Sequence, residues 1–375
     1  MTVTPPVAPE LTDDVVRLRP HRQSDVEAMV QMCRDPEMAR WTSVPQPYGR
    51  EHAESFVHEI IPRGWAAHQH RGWAIEAVDD DGTARFAGNV DLRGGPVADV
   101  GFALHPWARG RGVMVRALLL ATRWCFDEGG VAVVHWRAHV GNTGSRRVAW
   151  RAGFTFDGTT PALLHERGRL IDAWVGHLLP GDSPEPRTPW LAAPVLSGDK
   201  AALRPWRTDD VPRIVEACSD PRTRHWLPLL PDPYTARDAQ GYLYHLDELA
   251  SLGRQVGFAV ADPRTDEVLG SLGIMDITRG SAEIGYWSHP SSRGRGVMSE
   301  AVRLAVAWAL RAGDDGGGLG LRRLLLRASV PNAASRHVAQ SAGFRETGIE
   351  HEVTRLGDGS WADDVRYELL ADTSR

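Results

Sequence analysis

At roughly 100–200 residues per domain, a chain of 375 residues makes two domains or three. Hydrophobic residues at 42% and charged residues at 24% exclude a disordered chain, and 38 Gly and 25 Pro without a Gly-X-Y period exclude a collagen-like one. A net charge of −5, from 43 basic and 48 acidic side chains, argues against a protein that coats nucleic acid or an anionic membrane.

The N-terminal stretch MTVTPPVAPELTDD has neither a basic start nor an apolar run. No window approaches the roughly 18 consecutive apolar residues of a membrane span, so a cytoplasmic location is expected. Strands are expected at VVRLRP (15–20), then a helix through SDVEAMVQMC after a capping-type residue, then alternating strands at GWAIEAVD, RFAGNVDLR and ADVGFAL. VMVRALLLATRWCFD follows as a helix with one wide apolar face, then a strand VVHWRAHV, a short helix SRRVAWRAG and a closing hairpin ending in RLIDAWVGHLL.

The same order then starts again. HPWARGRGVM at His105 recurs as HPSSRGRGVM at His289, 184 residues on, with eight of ten letters identical. Leu18-Arg19-Pro20 recurs as Leu203-Arg204-Pro205, Asp35-Pro36 as Asp220-Pro221, and Trp41 as Trp226, each 185 apart. Asn142, Ser145 and Gly153-Phe154 recur 190 residues on as Asn332, Ser335 and Gly343-Phe344, the change of offset being placed by the insert GDDGGGLG at 313–320. The Pro-rich LPGDSPEPRTPWLAAP (179–194) reads as a joint, which gives a first domain over 1–180, a linker over 181–194 and a second domain over 195–375. Hairpins mixed with β-α-β units imply α+β domains, each a mixed, mostly antiparallel sheet flanked by helices.

Cys33, Cys125 and Cys218 lie on apolar segments without C-x-x-C or H-x-x-x-H spacing, so buried, inert thiols and no metal are expected. A strand that stops at Arg-Gly-x-Gly and becomes a helix exposes main-chain N–H groups at the positive end of the helix dipole, beside glycines that let an anion approach. Arg109, Arg111, Arg293 and Arg295 add charge, so each copy carries a candidate phosphate or pyrophosphate cradle. It is neither a Walker loop, for want of Gly-Lys-Ser/Thr, nor a dinucleotide fingerprint, since Val115 and Ser299 stand where a third Gly belongs.

EIGYWSHPSSRGRGVMSEAV followed by NAASRHVAQSAGF resembles the GNAT acetyltransferase superfamily, and more narrowly its ribosomal-protein N-terminal acetyltransferase branch. ADVGFALHPWARGRGVMVRAL with NTGSRRVAWRAGF is the same pattern with more drift. The resemblance implies acetyl-CoA as acyl donor in each domain and a primary amine as acceptor, either a protein N-terminus or a small molecule. It places the pyrophosphate on Arg109, Gly110, Arg111, Gly112, Val113 and Met114, and in the second copy on Arg293, Gly294, Arg295, Gly296, Val297 and Met298. The pantetheine arm would pair with the preceding strand between Phe102 and Leu104, and between Tyr286 and Ser288. The superfamily loop usually starts with Gln or Arg three residues before the first Gly, where this chain has Trp107 and Ser291; the cradle relies on main-chain donors instead.

The resemblance also points to Ser145 and Ser335 as proton donors to the leaving thiolate, with Asn142 and Asn332 ordering the loop and the pantetheine. Asn-x-x-Ser equally reads as a helix cap. Glu283, and Asp99 as its counterpart, lie two residues before the strand glycine on the face of Trp287 and are candidate bases, with Glu166, Asp172, Glu352 and Asp363 of the closing hairpins as alternatives. Trp41, Trp226, Trp65 and Tyr234 are candidates for an aromatic acceptor wall, whereas His68, His70 and His245 read as surface residues. The first copy, having drifted more, is the expected regulatory half if only one copy is catalytic. A tandem chain already supplies two domains, so the repeat leaves the oligomeric state open.

Overall fold

A computed structural model describes residues 8–313 and 317–371; the start of the N-terminal stretch and positions 314–316 of the Gly-rich insert lie outside the described residues. The chain divides into two compact units, one ending at Arg187 and the other beginning at Thr188. The first contains β1 (Leu11–Thr12), β2 (Val16–Arg19), α1 (Val26–Cys33), α2 (Pro36–Trp41), α3 (Arg50–Ser55) and α4 (Ile61–Ala66). It continues with β3 (His70–Val78), β4 (Ala84–Gly94), β5 (Val97–Leu104), α5 (Val113–Asp127), β6 (Val133–His139), α6 (Thr143–Arg151), β7 (Thr155–Glu166) and β8 (Arg169–Leu178). The second unit runs β9 (Leu196–Ser197), β10 (Ala202–Arg204), α7 (Val211–Ser219), α8 (Pro221–Trp226), α9 (Ala236–Ser251), β11 (Val256–Ala261) and β12 (Val268–Thr278). Then come β13 (Ser281–Ser288), α10 (Val297–Leu310), β14 (Arg323–Ser329), α11 (Ala333–Ser341), β15 (Arg345–Arg355) and β16 (Trp361–Leu370).

Each unit is one eight-stranded sheet, in the order β1-β2-β3-β4-β5-β6-β8-β7 in the first and β9-β10-β11-β12-β13-β14-β16-β15 in the second. Every pairing is antiparallel except β5 with β6 and β13 with β14. A parallel pair needs a crossover, and α5 and α10 supply it. In α5, Val113, Met114, Ala117, Leu118, Ala121 and Cys125 form the buried stripe of a 3.6-residue period, which packs on Trp73, Ile75, Val90 and Val134 of the sheet. On the opposite face Met29, Met32, Met38 and Val57 pack against Ala74 and Phe86. Thus β3 is buried on both faces and loses the polar alternation of a half-exposed strand.

The tryptophans are largely core. Trp73, Trp65 and Trp124 meet edge to face or tilted with centroids 5.0–5.6 Å apart, and Phe258 with Trp308 repeats one of these contacts at 5.5 Å. Trp65 is therefore a core residue at 4% exposure, not part of an acceptor wall. All three cysteines are buried, and burial pushes the thiols of Cys33 and Cys218 up to about 11 and that of Cys125 up to about 12.

The repeated Leu-Arg-Pro has a structural cause. Arg19 is buried and binds both oxygens of Asp25 at 2.8 Å, while its Nε donates to Glu76 at 2.7 Å and Nη1 to the Pro20 carbonyl. Asp25 also accepts from the Arg22 amide at 2.8 Å, so it closes the turn that enters α1. Arg204, Asp210, Asp266 and Arg207 repeat the arrangement in the second unit.

Of the Pro-rich joint, Arg187 pairs with Asp182 and donates to the Gly153 carbonyl in the first unit. Thr188 and Leu191 bond the Ser251 and Ala250 carbonyls in the second. Among the described residues no helix is long and apolar enough to cross a membrane.

Candidate acetyl-transfer site

The parallel pairing of β5 with β6 begins at Val97 and Val133 and ends at Val100 and Trp136, although both strands continue. Residues 101–104 of β5 stay bonded to β4 on one side and present an open main-chain edge on the other. β13 and β14 part in the same way after Glu283 and Leu325, which opens residues 284–288. Phe102, Leu104, Tyr286 and Ser288 lie on these open edges.

Each open strand leads into the Arg-Gly loop. Gly110 and Gly112 have φ of 75° and 76°, Gly294 and Gly296 of 73° and 76°, a left-handed conformation that favours glycine. Among the described residues, the amides of Gly110, Arg111, Gly112, Val113 and Met114 donate to no protein acceptor, and neither Gly112 nor Gly296 caps its helix with a side chain. In the second loop the amides of Gly294, Gly296, Val297 and Met298 are equally open, and that of Arg295 makes a 3.4 Å bond to the Ser292 carbonyl. Unpaired donors converging at a helix N-terminus favour an anion.

The four arginines do not share one task. Arg109 reaches Asp35 at 2.6 Å, and Arg293 reaches Asp220 at 2.5 Å and Thr223 at 2.8 Å. Asp35 and Asp220 are the N-caps of α2 and α8, accepting from the Met38 and Thr223 amides. The first arginine of each loop thus ties the loop to a short helix across the open strand, and its charge is already neutralised, contrary to the expectation that all four add to the cradle. Arg111 lies over the Trp107 ring and near Asp80, and Arg295 bonds the Ser291 carbonyl. The repeated Asp-Pro was the sequence signal for this clamp.

Burial opposes ionisation of Asp220, but hydrogen bonds from Arg293 and Thr223 hold its carboxyl below the ordinary carboxylate range. A depressed folded-state value means that the clamp contributes fully above about pH 4 and is lost only as the pH falls further. Asp220→Ala is expected to weaken anion binding by the loop of the second unit about fivefold, from roughly 1 kcal/mol of lost charge-assisted bonding, measured by calorimetry with inorganic pyrophosphate at pH 7.

Asn142 and Asn332 accept from the amides of Ser145 at 3.1 Å and Ser335 at 3.2 Å, so Asn-x-x-Ser caps α6 and α11. The hydroxyls differ in their partners. Ser145 Oγ accepts from the indole N–H of Trp136 at 2.9 Å, which leaves its own proton to donate elsewhere. Ser335 Oγ lies 2.9 Å from the phenol oxygen of Tyr286, a pair in which either hydroxyl can donate, and the phenol also lies 3.1 Å from the Ser335 carbonyl that can accept its proton. Burial pushes the Tyr286 phenol up to about 12.

The candidate bases Asp99 and Glu283 lie where the strands part, but each is ion-paired across the parallel pair, Asp99 with Arg137 and Glu283 with Arg327 at 3.1 Å. Of the hairpin carboxylates, Asp172 accepts from the Ala162 amide, and Asp363 from the Glu352 amide and His351, all within their own hairpins. Glu166 behaves differently: it is 8% exposed and lies 2.9 Å from Nε2 of His139, the last residue of β6.

The opening in the first unit widens into a cleft of about 1170 Å³ lined by Ser145, Asn142, His139, Glu166, Asp99 and Trp41. His70 also lines it, half-buried and 2.7 Å from Asp91, so it is not the surface residue expected. Trp41 reaches the cleft as an edge-to-face neighbour of His139 at 6.0 Å. Tyr234 is instead packed into the small core under α7. Among the described residues no group of three or more His, Cys, Asp or Glu is arranged to hold a metal ion.

The family described as "Acetyltransferase (GNAT) domain" matches the chain twice, at residues 16–155 and 200–345. The chain is 27% identical over 143 residues to the "Probable N-acetyltransferase YjcK" of Bacillus subtilis, covering 37% of this chain and 74% of the relative. It is 31% identical over 113 residues to the Escherichia coli "Ribosomal-protein-serine acetyltransferase", covering 29% and 59% respectively. A solved structure of Mycobacterium smegmatis RimJ in complex with CoA-disulfide is similar at 23% identity and a TM-score of 0.42, over 48% of this chain and 87% of that one.

Proposed function

The chain belongs to the GNAT acetyltransferase family through both of its halves, and from that premise we propose that it transfers an acetyl group from acetyl-CoA to a primary amine. The observation that carries this reading is the open strand edge running into a loop of unpaired amides, built twice from the same residues. That donor set fits the coenzyme: amides suit a pyrophosphate, and a strand edge suits the amide groups of an extended pantetheine.

When bound, acetyl-CoA supplies a thioester carbonyl to a neutral amine. Residues 110–114 would hold the pyrophosphate through main-chain donors, and the open edge of β5 would hold the arm and supply N–H donors for the oxyanion. Ser145 keeps a proton available to the departing sulfur. Glu37, Asp91, Asp99 and Glu166 line the cleft together with Arg93, Arg109 and Arg137, so carboxylates are at hand for an acceptor that enters as an ammonium. A cleft of about 1170 Å³ suits a peptide N-terminus, and the similarity to a ribosomal-protein-serine acetyltransferase supports that acceptor class over a small amine.

Calorimetric titration with acetyl-CoA is expected to give two sites per chain, and a stoichiometry of one would sink the two-cradle reading. Thiol release in the presence of N-terminal peptides is expected to fall about a hundredfold in Ser145→Ala. Unchanged release would remove Ser145 from the chemistry.

A further inference from the structure

The two units share a cradle and differ in what stands across the opening from it. Continuing the parallel register beyond Val100 and Trp136 places His139 opposite Ala103, on the far side of the open edge. Its Nε2 lies 2.9 Å from a Glu166 carboxylate oxygen, a neighbour that favours the tautomer with the proton on Nε2 and a lone pair on Nδ1. Nδ1 has no protein partner among the described residues and is not closed off from the cleft, which His139 lines. In the second unit the same strand position is Ser329, buried and donating to Asp364 at 2.8 Å, while Thr354 donates to the other carboxylate oxygen at 2.7 Å. That carboxylate is saturated by hydroxyls, with no imidazole between it and the opening. The other His–carboxylate pair of the first cleft, His70 with Asp91, is likewise replaced, by Gln255 against Gly273.

We propose that His139, oriented by Glu166, is the base that deprotonates the acceptor amine, and that the first unit is therefore the transferase centre while the second binds acyl-CoA without an equivalent base. This rests on the acetyl-transfer reading and reverses the expectation that the first copy is the regulatory half. The ammonium loses a proton to His139 Nδ1, and the freed lone pair forms the C–N bond to the thioester carbon. The C–S bond breaks and the sulfur leaves with its electron pair; it takes a proton from Ser145, which regains one from the attacking nitrogen as that nitrogen gives up its second proton on becoming the amide. His139 then releases its proton to water, giving amide, free thiol and one proton.

The charged and titratable groups on the elements packed around His139 are Glu166, His165 and Arg167 of the closing hairpin, Arg137 and Asp99 at the root of the opening, Asp172 on β8, and Glu37 and Arg40 beside Trp41 on α2. Of these, only Glu166 is within hydrogen-bond distance of the ring.

The full chain, with a peptide accepted by the wild type, tests the proposal. His139→Gln is expected to lower kcat/KM by about 10²–10⁴-fold at pH 7. Two-site acetyl-CoA binding by calorimetry should be unchanged, which also reports a folded variant. The defect should shrink roughly tenfold per pH unit as the pH approaches the amine's own pKa, because solvent then supplies the neutral amine. Glu166→Gln should give a smaller loss with the same relief by alkali, and Ser329→Ala should leave turnover unchanged. Retention of activity in His139→Gln, or a loss that alkali does not relieve, would overturn the assignment to His139. If the wild type bound acetyl-CoA but acetylated no amine, the acetyl-transfer reading itself would fall.

Discussion

Valine at position 112 is expected to eliminate acetyl-CoA binding in the first unit, by at least about a hundredfold, while the chain stays folded. Gly112 sits at φ 76° at the start of α5, and a Cβ there would meet no protein atom within 4 Å. The space is open beside a loop whose amides have no protein acceptor among the described residues. A branched side chain would stand where an anion approaches and would add left-handed strain of roughly 1–2 kcal/mol. Calorimetry should fall from two sites to one, and Gly296→Val should remove the other. Gly168→Ala is the control for strain alone, since Gly168 has φ 77° and similarly open surroundings but lies in the hairpin turn between β7 and β8. If Gly168→Ala lost a site as well, or Gly112→Val kept both, the cradle would not be where the amides place it.

Asp25→Ala is expected to destabilise the first unit by about 3–5 kcal/mol. A buried ion pair need not add net stability, because desolvating two charges offsets their attraction, but removing one partner leaves the other uncompensated. Arg19 would keep Glu76 and the Pro20 carbonyl, one carboxylate in place of two, and the Arg22 amide would lose its acceptor. Asp210→Ala should cost a similar amount in the second unit, where Asp266 is the remaining partner of Arg204. Urea unfolding monitored by tryptophan fluorescence measures both, and a loss below about 1 kcal/mol would show that the arginine rehydrates on losing its partner.

Elements encoded by neighbouring residues were the legible ones. The Arg-Gly loop, the Asn-x-x-Ser caps and the strand–loop–helix order each depend on a few consecutive residues, and duplication showed every one twice. α4 has no clear local signal: it is one short turn-rich helix with Pro62 in its first turn, following a π turn over Phe56–Ile60. α9 was overlooked although Thr235 and Asp238 cap it reciprocally. The His139–Glu166 pair had no sequence signal, since β8 lies between β6 and β7 in the sheet and only the sheet order brings the ends of these strands together. Its partner position shows why duplication did not help: Ser329 is a small polar residue like any other until Asp364 is placed beside it.

An unpaired strand edge normally invites another chain to add itself, and many proteins shorten or charge such edges to prevent it. Here the vulnerable edge lies inside the sheet, bounded by β6 in the first unit and by β14 in the second. A long strand added there would run into the closed end, where β5 and β6, or β13 and β14, are already paired with each other. A short single-file ligand would not. The fold thereby keeps a templating surface that admits a short occupant and is protected from self-association by the strand that turns away from it.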